Sequence, residues 1–331
     1  MIDFSNFDNL FSLVDYFNTE AICKETIIAS RWGEGVNQDV VCPICGKRHY
    51  CTRCKDGRFY CPDCNRKFSC TVGTIFENTK ISLRKWFMAM YLISSHKKGI
   101  SSHQLGRDLK ITQKTAWFIL HKVRTLFGQD DSVALEGEVE LDEMYLGGRE
   151  TNKHESKKVA GTQGRSTKTK TPIFGMAERD NFINEKGEEE TFNIVRAMKV
   201  ENTRAETLLP IIKQFVMEGS HLFTDELNSY NCLSKNGYEH SVVFHKQKQF
   251  AYSNMEDVFV TTNIIEGFWA HFKRMVFGIY HFVSKEYLQR YINEAVYRWN
   301  TRKASQEERF SDMFYASLGV VRYDDVRVYA A

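Results

Sequence analysis

No run of eighteen apolar residues occurs in this 331-residue chain, which argues against a membrane-spanning helix. The start, Met1-Ile2-Asp3-Phe4, lacks the basic-then-apolar layout of a signal peptide. The expected setting is therefore intracellular, in the cytoplasm beside the nucleoid, with no membrane partner. A disulfide framework is also missing. Of nine cysteines, seven fall between Cys42 and Cys70, a crowding that suits metal ligation in a reducing compartment rather than secreted cross-links. Cys23 and Cys232 stand apart and are expected to be buried thiols.

Net charge is small at +3, but it is unevenly spread. Residues 41 to 130 carry 17 Lys/Arg against 5 Asp/Glu, and residues 1 to 40 carry 2 against 7. A polyanion would be drawn to the middle segment, because neutralising phosphates releases counterions; a solvated basic face is the plainer alternative. A hydrophobic content of 42% with 13% aromatics supports a true core and two or three domains.

Patterning divides the chain further. Apolar residues spaced through 7 to 31 suit short helices, so residues 1–40 read as a helical N-terminal segment. Residues 41–77 change to Cys, Pro, Gly and Arg. Residues 78–130 are helical again, broken at Gly99 and Gly106, with a linker at Gly128 to Ser132. Residues 131–305 read as one domain and 306–331 as a C-terminal extension.

In the cysteine-rich segment, Cys42-x-x-Cys45 and Cys61-x-x-Cys64 lie fifteen residues apart. Two such turns can present four thiolates tetrahedrally to a structural zinc. Cys51/Cys54, with His49 and Cys70 nearby, is an extra pair that either substitutes, binds a second zinc or is incidental. Next, Ser101 or Ser102 can cap a short helix and, after a turn following Leu109, Thr112 a longer one from Gln113 to Phe127, the layout of a helix-turn-helix. Its second helix offers Lys114, Lys122 and Arg124 for DNA contact.

The last large domain reads as strands near 138–146, 171–179 and 191–199, a helix from Thr203 with Thr203-x-x-Glu206 as capping box, and a strand at 221–225. A helix from Glu226, a strand at 241–245 and a helix from Asn263 complete it. That order is the order of an RNase H-like α/β fold: a mixed five-stranded sheet with helices. Its first and fourth strands are neighbours about 4.8 Å apart, which brings Asp142 and Asp225 together, and the last helix delivers Glu266. Oxygen ligands suit two magnesium or manganese ions, which stabilise attacking and leaving oxygens in phosphodiester chemistry. Lys273, seven residues on from Glu266, and Arg274 could hold a DNA phosphate, and Asn263 could support the site. Plainer roles stay open: Asp225 and Asn263 as helix caps, or Glu140 or Glu143 in place of Asp142.

The motifs also resemble a known family. They are Cys-Pro-x-Cys-Gly, Gly73-Thr74-Ile75-Phe76, Leu83-Arg84-Lys85-Trp86-Phe87, Val139-Glu140-Leu141-Asp142-Glu143-x-Tyr145-x-Gly147-Gly148, Thr224-Asp225-x-x-x-Ser229-Tyr230, and Thr262-Asn263-x-Ile265-Glu266-x-Phe268-Trp269-x-x-x-Lys273-Arg274. Gly278-x-Tyr280-His281 and Tyr297-Arg298-Trp299-Asn300-x-Arg302 continue the likeness. Together they resemble bacterial insertion-sequence transposases with an N-terminal zinc ribbon and a DDE domain, of the ISXO-like group related to eukaryotic Merlin elements. The resemblance implies Asp142, Asp225 and Glu266 as catalytic acids. Some members carry Asn as the third, which keeps Asn263 a candidate. It implies binding of terminal inverted repeats, hydrolysis to a 3′-hydroxyl, and strand transfer into target DNA by a homodimer or higher oligomer. A basic loop at 149–171 is expected to order on DNA. An inactive zinc-dependent DNA-binding regulator would not need all three acids; a nuclease or Holliday-junction resolvase on the same fold would not need an end-specific DNA module.

Overall fold

The structure, a computed structural model, describes residues 2–33, 40–47, 51–129, 134–147, 154–162, 166–183, 189–244, 251–253 and 258–319. His49, Gly148, most of the linker before residue 134, and much of the basic loop (149–153 and 163–165) lie outside them. The chain divides into two compact units, Met1–Phe127 with Lys303–Ala331, and Gly128–Arg302.

In the first unit, α1 (Leu10–Tyr16) and α2 (Glu20–Trp32) start on side-chain caps, Asn9 and Thr19. They precede a small antiparallel sheet, β1 (Thr52–Arg53), β2 (Phe59–Cys61) and β3 (Arg66–Phe68). Helices α3 (Leu83–Ser95), α4 (Ser102–Asp108) and α5 (Gln113–Arg124) follow. As expected, Ser101 and Thr112 cap α4 and α5 by accepting from Gln104 N and Thr115 N. The turn between them passes through Lys110 at φ 49°. A Cβ at Gly106 would stand 3.1 Å from the Ile111 carbonyl oxygen, so a glycine lets the two helices close on each other.

Residues 306–331, the expected C-terminal extension, group with the first unit. Helix α9 (Gln306–Ser317) belongs to this first unit, and Phe310 and Phe314 join Phe4, Phe7, Phe17 and Phe87 in one ring cluster with centroids 4.7 to 6.1 Å apart. Aromatic rings bury large apolar areas, so this cluster is a substantial part of the unit's core.

The second unit is a five-stranded mixed sheet ordered β6-β5-β4-β7-β8. Its strands are β4 (Glu138–Leu146), β5 (Thr171–Ile183), β6 (Glu189–Lys199), β7 (His221–Thr224) and β8 (Glu239–Val242). Strands β4 to β6 form an antiparallel meander, while β7 runs parallel to both β4 and β8. In chain order this is 3-2-1-4-5, the RNase H-like order. Helix α6 (Ala205–Phe215) covers one face over Val139, Leu141 and Leu222; α7 (Asn263–Met275) and α8 (Leu288–Asn300) cover the other over Met144, Ile173 and Ala197. Val139 and Leu141 alternate with Glu140, Asp142 and Met144, as a strand between two packed layers requires.

Three local expectations are corrected. No α-helix follows Glu226; two 3-10 turns, Asn228–Tyr230 and Leu233–Asn236, span the gap to β8. Strand β8 starts at Glu239 rather than 241, and a small hairpin, β9 (Ala251–Ser253) with β10 (Phe259–Thr261), precedes α7. The Thr203 capping box does not form: α6 starts after Arg204, and Asn202 Oδ1 instead accepts from Arg204 N and Thr207 Oγ1 at 3.0 and 2.9 Å.

Edge strand β6 is hemmed by side-chain amides. Asn300 bonds both N–H and C=O of Val195, Gln129 bonds both of Ala197, and Gln289 Oε1 accepts from Lys199 N, all at 2.7 to 3.1 Å. These groups would otherwise be an open row of sheet donors and acceptors.

Candidate active site and metal centres

The β4–β7 ladder ends at Glu140↔Phe223. Continuing that register two residues sets Asp142 opposite Asp225, just past the last residue of β7, where the two strands part. Ligand oxygens of Asp142, Glu143 and Asp225 lie within 4.8 Å of one another. Glu143, on the α6 face of β4, is held by Tyr230, whose hydroxyl donates to Glu143 Oε2 at 3.0 Å in a buried bond. Asp142, on the other face, accepts from Trp269 Nε1 of α7 at 3.0 Å. Burial, then the negative charge of Glu143, and then Asp225 and Glu266, push the Asp142 carboxyl up to about 8. Converging carboxylates of this kind repel until a cation neutralises them, and a set of hard oxygens fits a divalent ion such as magnesium or manganese.

Glu266 lies outside this three-residue group. It is exposed, one helical turn before Trp269 on α7, and its Oε1 accepts from Thr262 Oγ1 at 3.0 Å. Its charge reaches Asp142. Asn263, Lys273 and Arg274 are exposed on the same helix. Asn263 is not the cap: α7 starts from Thr262, which makes no side-chain cap bond. Asp225 does serve the turn after it, with Oδ1 accepting from Leu227 N at 2.9 Å.

The residue that caps α7 is Glu140. Its Oε2 accepts from Ile264 N and Ile265 N at 2.8 and 3.0 Å, and its Oε1 pairs with Arg179 of β5 at 2.7 Å. Burial raises its pKa; the Ile265 N–H and Arg179 oppose that. A carboxylate at a helix N-terminus meets both orphan donors and the positive end of the dipole. Glu140 therefore fixes the helix bearing Glu266 onto the strand bearing Asp142. Gly175, paired with Asp142 on β5, makes room for this: a Cβ there would stand 2.5 Å from Trp269 Cζ2. The sequence carries no local signal for Glu140's capping role, since the two amides it meets on α7 lie more than 120 residues on.

In the first unit, Cys42, Cys45, Cys61 and Cys64 form the other metal-capable cluster found among the described residues. Cys42 Sγ lies 3.8 Å from Cys64 Sγ, and Cys45 Sγ 3.8 Å from Cys61 Sγ. A tetrahedron with Zn–S bonds of about 2.3 Å has S–S edges of about 3.8 Å, so the thiols fit a structural zinc. The backbone of Cys64, against desolvation, helps draw the Cys61 thiol down to about 7. Cys51 and Cys54 flank the extended strand β1, which spaces them apart; Cys51 Sγ meets the Val40 carbonyl at 3.6 Å instead. Cys70 is buried elsewhere, outside the cluster.

Two expected DNA contacts are corrected. Lys122 and Arg124 are only 4% and 2% exposed. Lys122 Nζ donates to the Ile75 carbonyl at 2.7 Å and lies 5.5 Å from the Phe118 ring centroid. Lys122 sits on the side of α5 that faces the Gly73–Phe76 segment, while Arg124, two residues on and so about 200° round the helix, is buried as well. Lys114, in the first turn of α5, is exposed with Gln113 beside it.

Comparison with known proteins agrees with this geometry. The ISXO2-like transposase domain matches residues 134–300, and the transposase zinc-ribbon domain matches residues 18–67. An uncharacterized protein in transposable element ISH50 of Halobacterium salinarum is 29% identical over 230 residues, covering 66% of this chain and 71% of its own. An uncharacterized transposase-like protein of Haemophilus influenzae is 29% identical over 113 residues, 34% of this chain and 86% of its own. No solved structure matches. With half of its length, including both strands that carry the acidic cluster, matched by one family, the chain belongs to the ISXO2-like transposases and carries their zinc-ribbon domain.

Proposed function

We propose that this chain is a DNA transposase that binds the terminal inverted repeats of an insertion sequence, hydrolyses a phosphodiester there and directs the resulting 3′-hydroxyl at target DNA. The observation that carries the reading is the meeting of Asp142 and Asp225 across the parted β4 and β7, with Glu143 within 4.8 Å. Divalent ions held by these carboxylates and Glu266 would stabilise charge on the attacking and leaving oxygens. The chain's own residues orient and exclude. Trp269 fixes the rotamer of Asp142 by its 3.0 Å bond and covers one side of it. Glu140 sets the position of α7, and Lys273 and Arg274 offer cationic donors to a phosphate along it. Asn263, exposed at the start of α7, supports the same site. Double-stranded ends are gripped by the first unit, with Lys114 at the head of α5 as a DNA contact. A dimer or larger assembly working beside the nucleoid is part of this reading.

The test is cleavage and joining of the flanking element ends in vitro with magnesium, by wild type and by Asp142→Asn, Asp225→Asn, Glu266→Gln and Asn263→Ala. The first three should each abolish both steps, a loss of at least about a thousandfold, and the last should only weaken them. Joined products support the transposase; hydrolysis alone would favour a nuclease or resolvase, and binding alone an inactive regulator. Tolerance of Glu266→Gln with loss in Asn263→Ala would hand the third position to Asn263.

A further inference from the structure

Beyond Lys273 and Arg274, α7 does not end in an ordinary cap. It runs into a single π-helical stretch, Val276–Tyr280, and the chain then passes through His281 at φ 60°. π-bulges and left-handed non-glycine residues are costly and concentrate at functional sites. The same short segment exposes two phenylalanines, Phe277 at 58% and Phe282 at 79%. Both line a cavity of about 390 Å³ with Leu146, Thr169, Val283 and Lys285. That size falls within the roughly 300–1,000 Å³ of sites that take a flat organic ring system. Thr169 Oγ1 in its wall is buried with no hydrogen-bond partner among the described residues. A buried polar atom left without a partner costs free energy that a ligand can relieve.

Position favours one ligand. Glu266, Lys273 and Phe277 fall at i, i+7 and i+11 and so share one helical face, with about 16 Å from first to last. Leu146, at the other wall, ends the strand that carries Asp142. A strand of DNA laid along this face would meet carboxylates, then the exposed cations of Lys273 and Arg274, then bare aromatic rings. We propose that this cavity receives an unpaired nucleobase of the DNA strand adjoining the scissile phosphodiester, stacked on Phe277 and Phe282 with its phosphate held by Lys273, Arg274 or Lys285. Stacking on aromatic rings is indifferent to sequence, so the site would splay the duplex without reading it. The inference rests on the transposase reading above and adds a subsite to it.

The experiment measures binding rather than cleavage, so the two readings can fail separately. Full-length protein, without added magnesium, is titrated into a short single-stranded oligonucleotide carrying one 2-aminopurine, whose fluorescence falls when the base stacks. Wild type should bind and quench. Phe277→Ala and Phe282→Ala should each weaken binding at least about fivefold, the low end for one base–aromatic stack, and relieve the quench. Phe282→Trp should restore both, and Phe11→Ala, at an equally exposed ring in the other unit, should change neither. The inference is overturned if the alanine variants bind and quench as wild type does. It is also overturned if they turn a dimer into a monomer in sedimentation with no change in oligonucleotide affinity, which would make these rings a contact for a second copy. A wild type that cleaves and joins ends while failing to quench would sink the subsite and leave the proposed function standing.

Discussion

Three cations on one helix show why residue type does not settle residue role. Lys114, Lys122 and Arg124 all lie on α5, yet only Lys114 is at the surface. Lys114→Ala should weaken DNA binding and lower the slope of log affinity against log salt by about one, measured by fluorescence anisotropy. Lys122→Met should leave that slope alone and act on stability instead. Burial lowers the Lys122 pKa below its ordinary 10.5. The folded state then binds fewer protons than the unfolded one between that lowered value and 10.5, so wild-type stability gains as pH rises through that window. Thermal melts over the alkaline range should show this gain in wild type and its loss in Lys122→Met. The sequence displayed the cations but not which side of α5 faces the Ile75 carbonyl, because that side is set by a segment 47 residues away. The cysteines were more legible: Cys42, Cys45, Cys61 and Cys64 cluster as their spacing suggested, since a knuckle is a local turn. The acids fall between. Asp142 and Asp225 were found from strand order, whereas the nearness of Glu143 required the parting of the strands to be seen.

At the scale of the element, helices here are positioned by distant carboxylates. Glu20 of α2 accepts from Leu83 N with both oxygens at 2.9 and 3.1 Å, and Glu140 of β4 does the same work for α7. Ser82 and Thr262, the caps nearest in sequence, make no side-chain cap bonds. Glu140→Ala should therefore do more than delete a cap. It leaves the buried Arg179 with its bonds to Glu138 and the Phe259 carbonyl but without its most buried carboxylate, and denaturant unfolding should show a loss of about 3–5 kcal/mol. Gly175→Ala is milder in chemistry but presses on Trp269; it should cost about 1–3 kcal/mol by the same measurement and displace the indole from Asp142, lowering cleavage more than stability. Strand periodicity made all five sheet strands readable. The turns at Asn228 and Leu233 were not, because spaced apolar residues under a sheet look the same in a helix and in two successive 3-10 turns.

On the scale of the whole molecule, the first unit is closed by both ends of the described chain. Phe4 and Phe7 meet Phe310 and Phe314 across some 300 residues of sequence, a separation that no periodicity can reveal. Phe310→Ala should destabilise this unit by about 3–5 kcal/mol, with unfolding of the second unit left in place as a separate calorimetric transition. Removing zinc with a strong chelator should act on the same unit by a different route. The four thiols lose their shared ion, and Trp32, whose ring lies 5.1 Å from Phe59 of β2, should report the loosening by its fluorescence. Binding to element ends should be lost in parallel.

The amide hem on β6 bears on what happens when many copies of this protein are made at once. Asn300, Gln129 and Gln289 occupy the very groups that a passing neighbour would need to extend the sheet. A strand added along residues 195–199 would first have to displace these amides, so that stretch of the edge is guarded without a proline or a bulge.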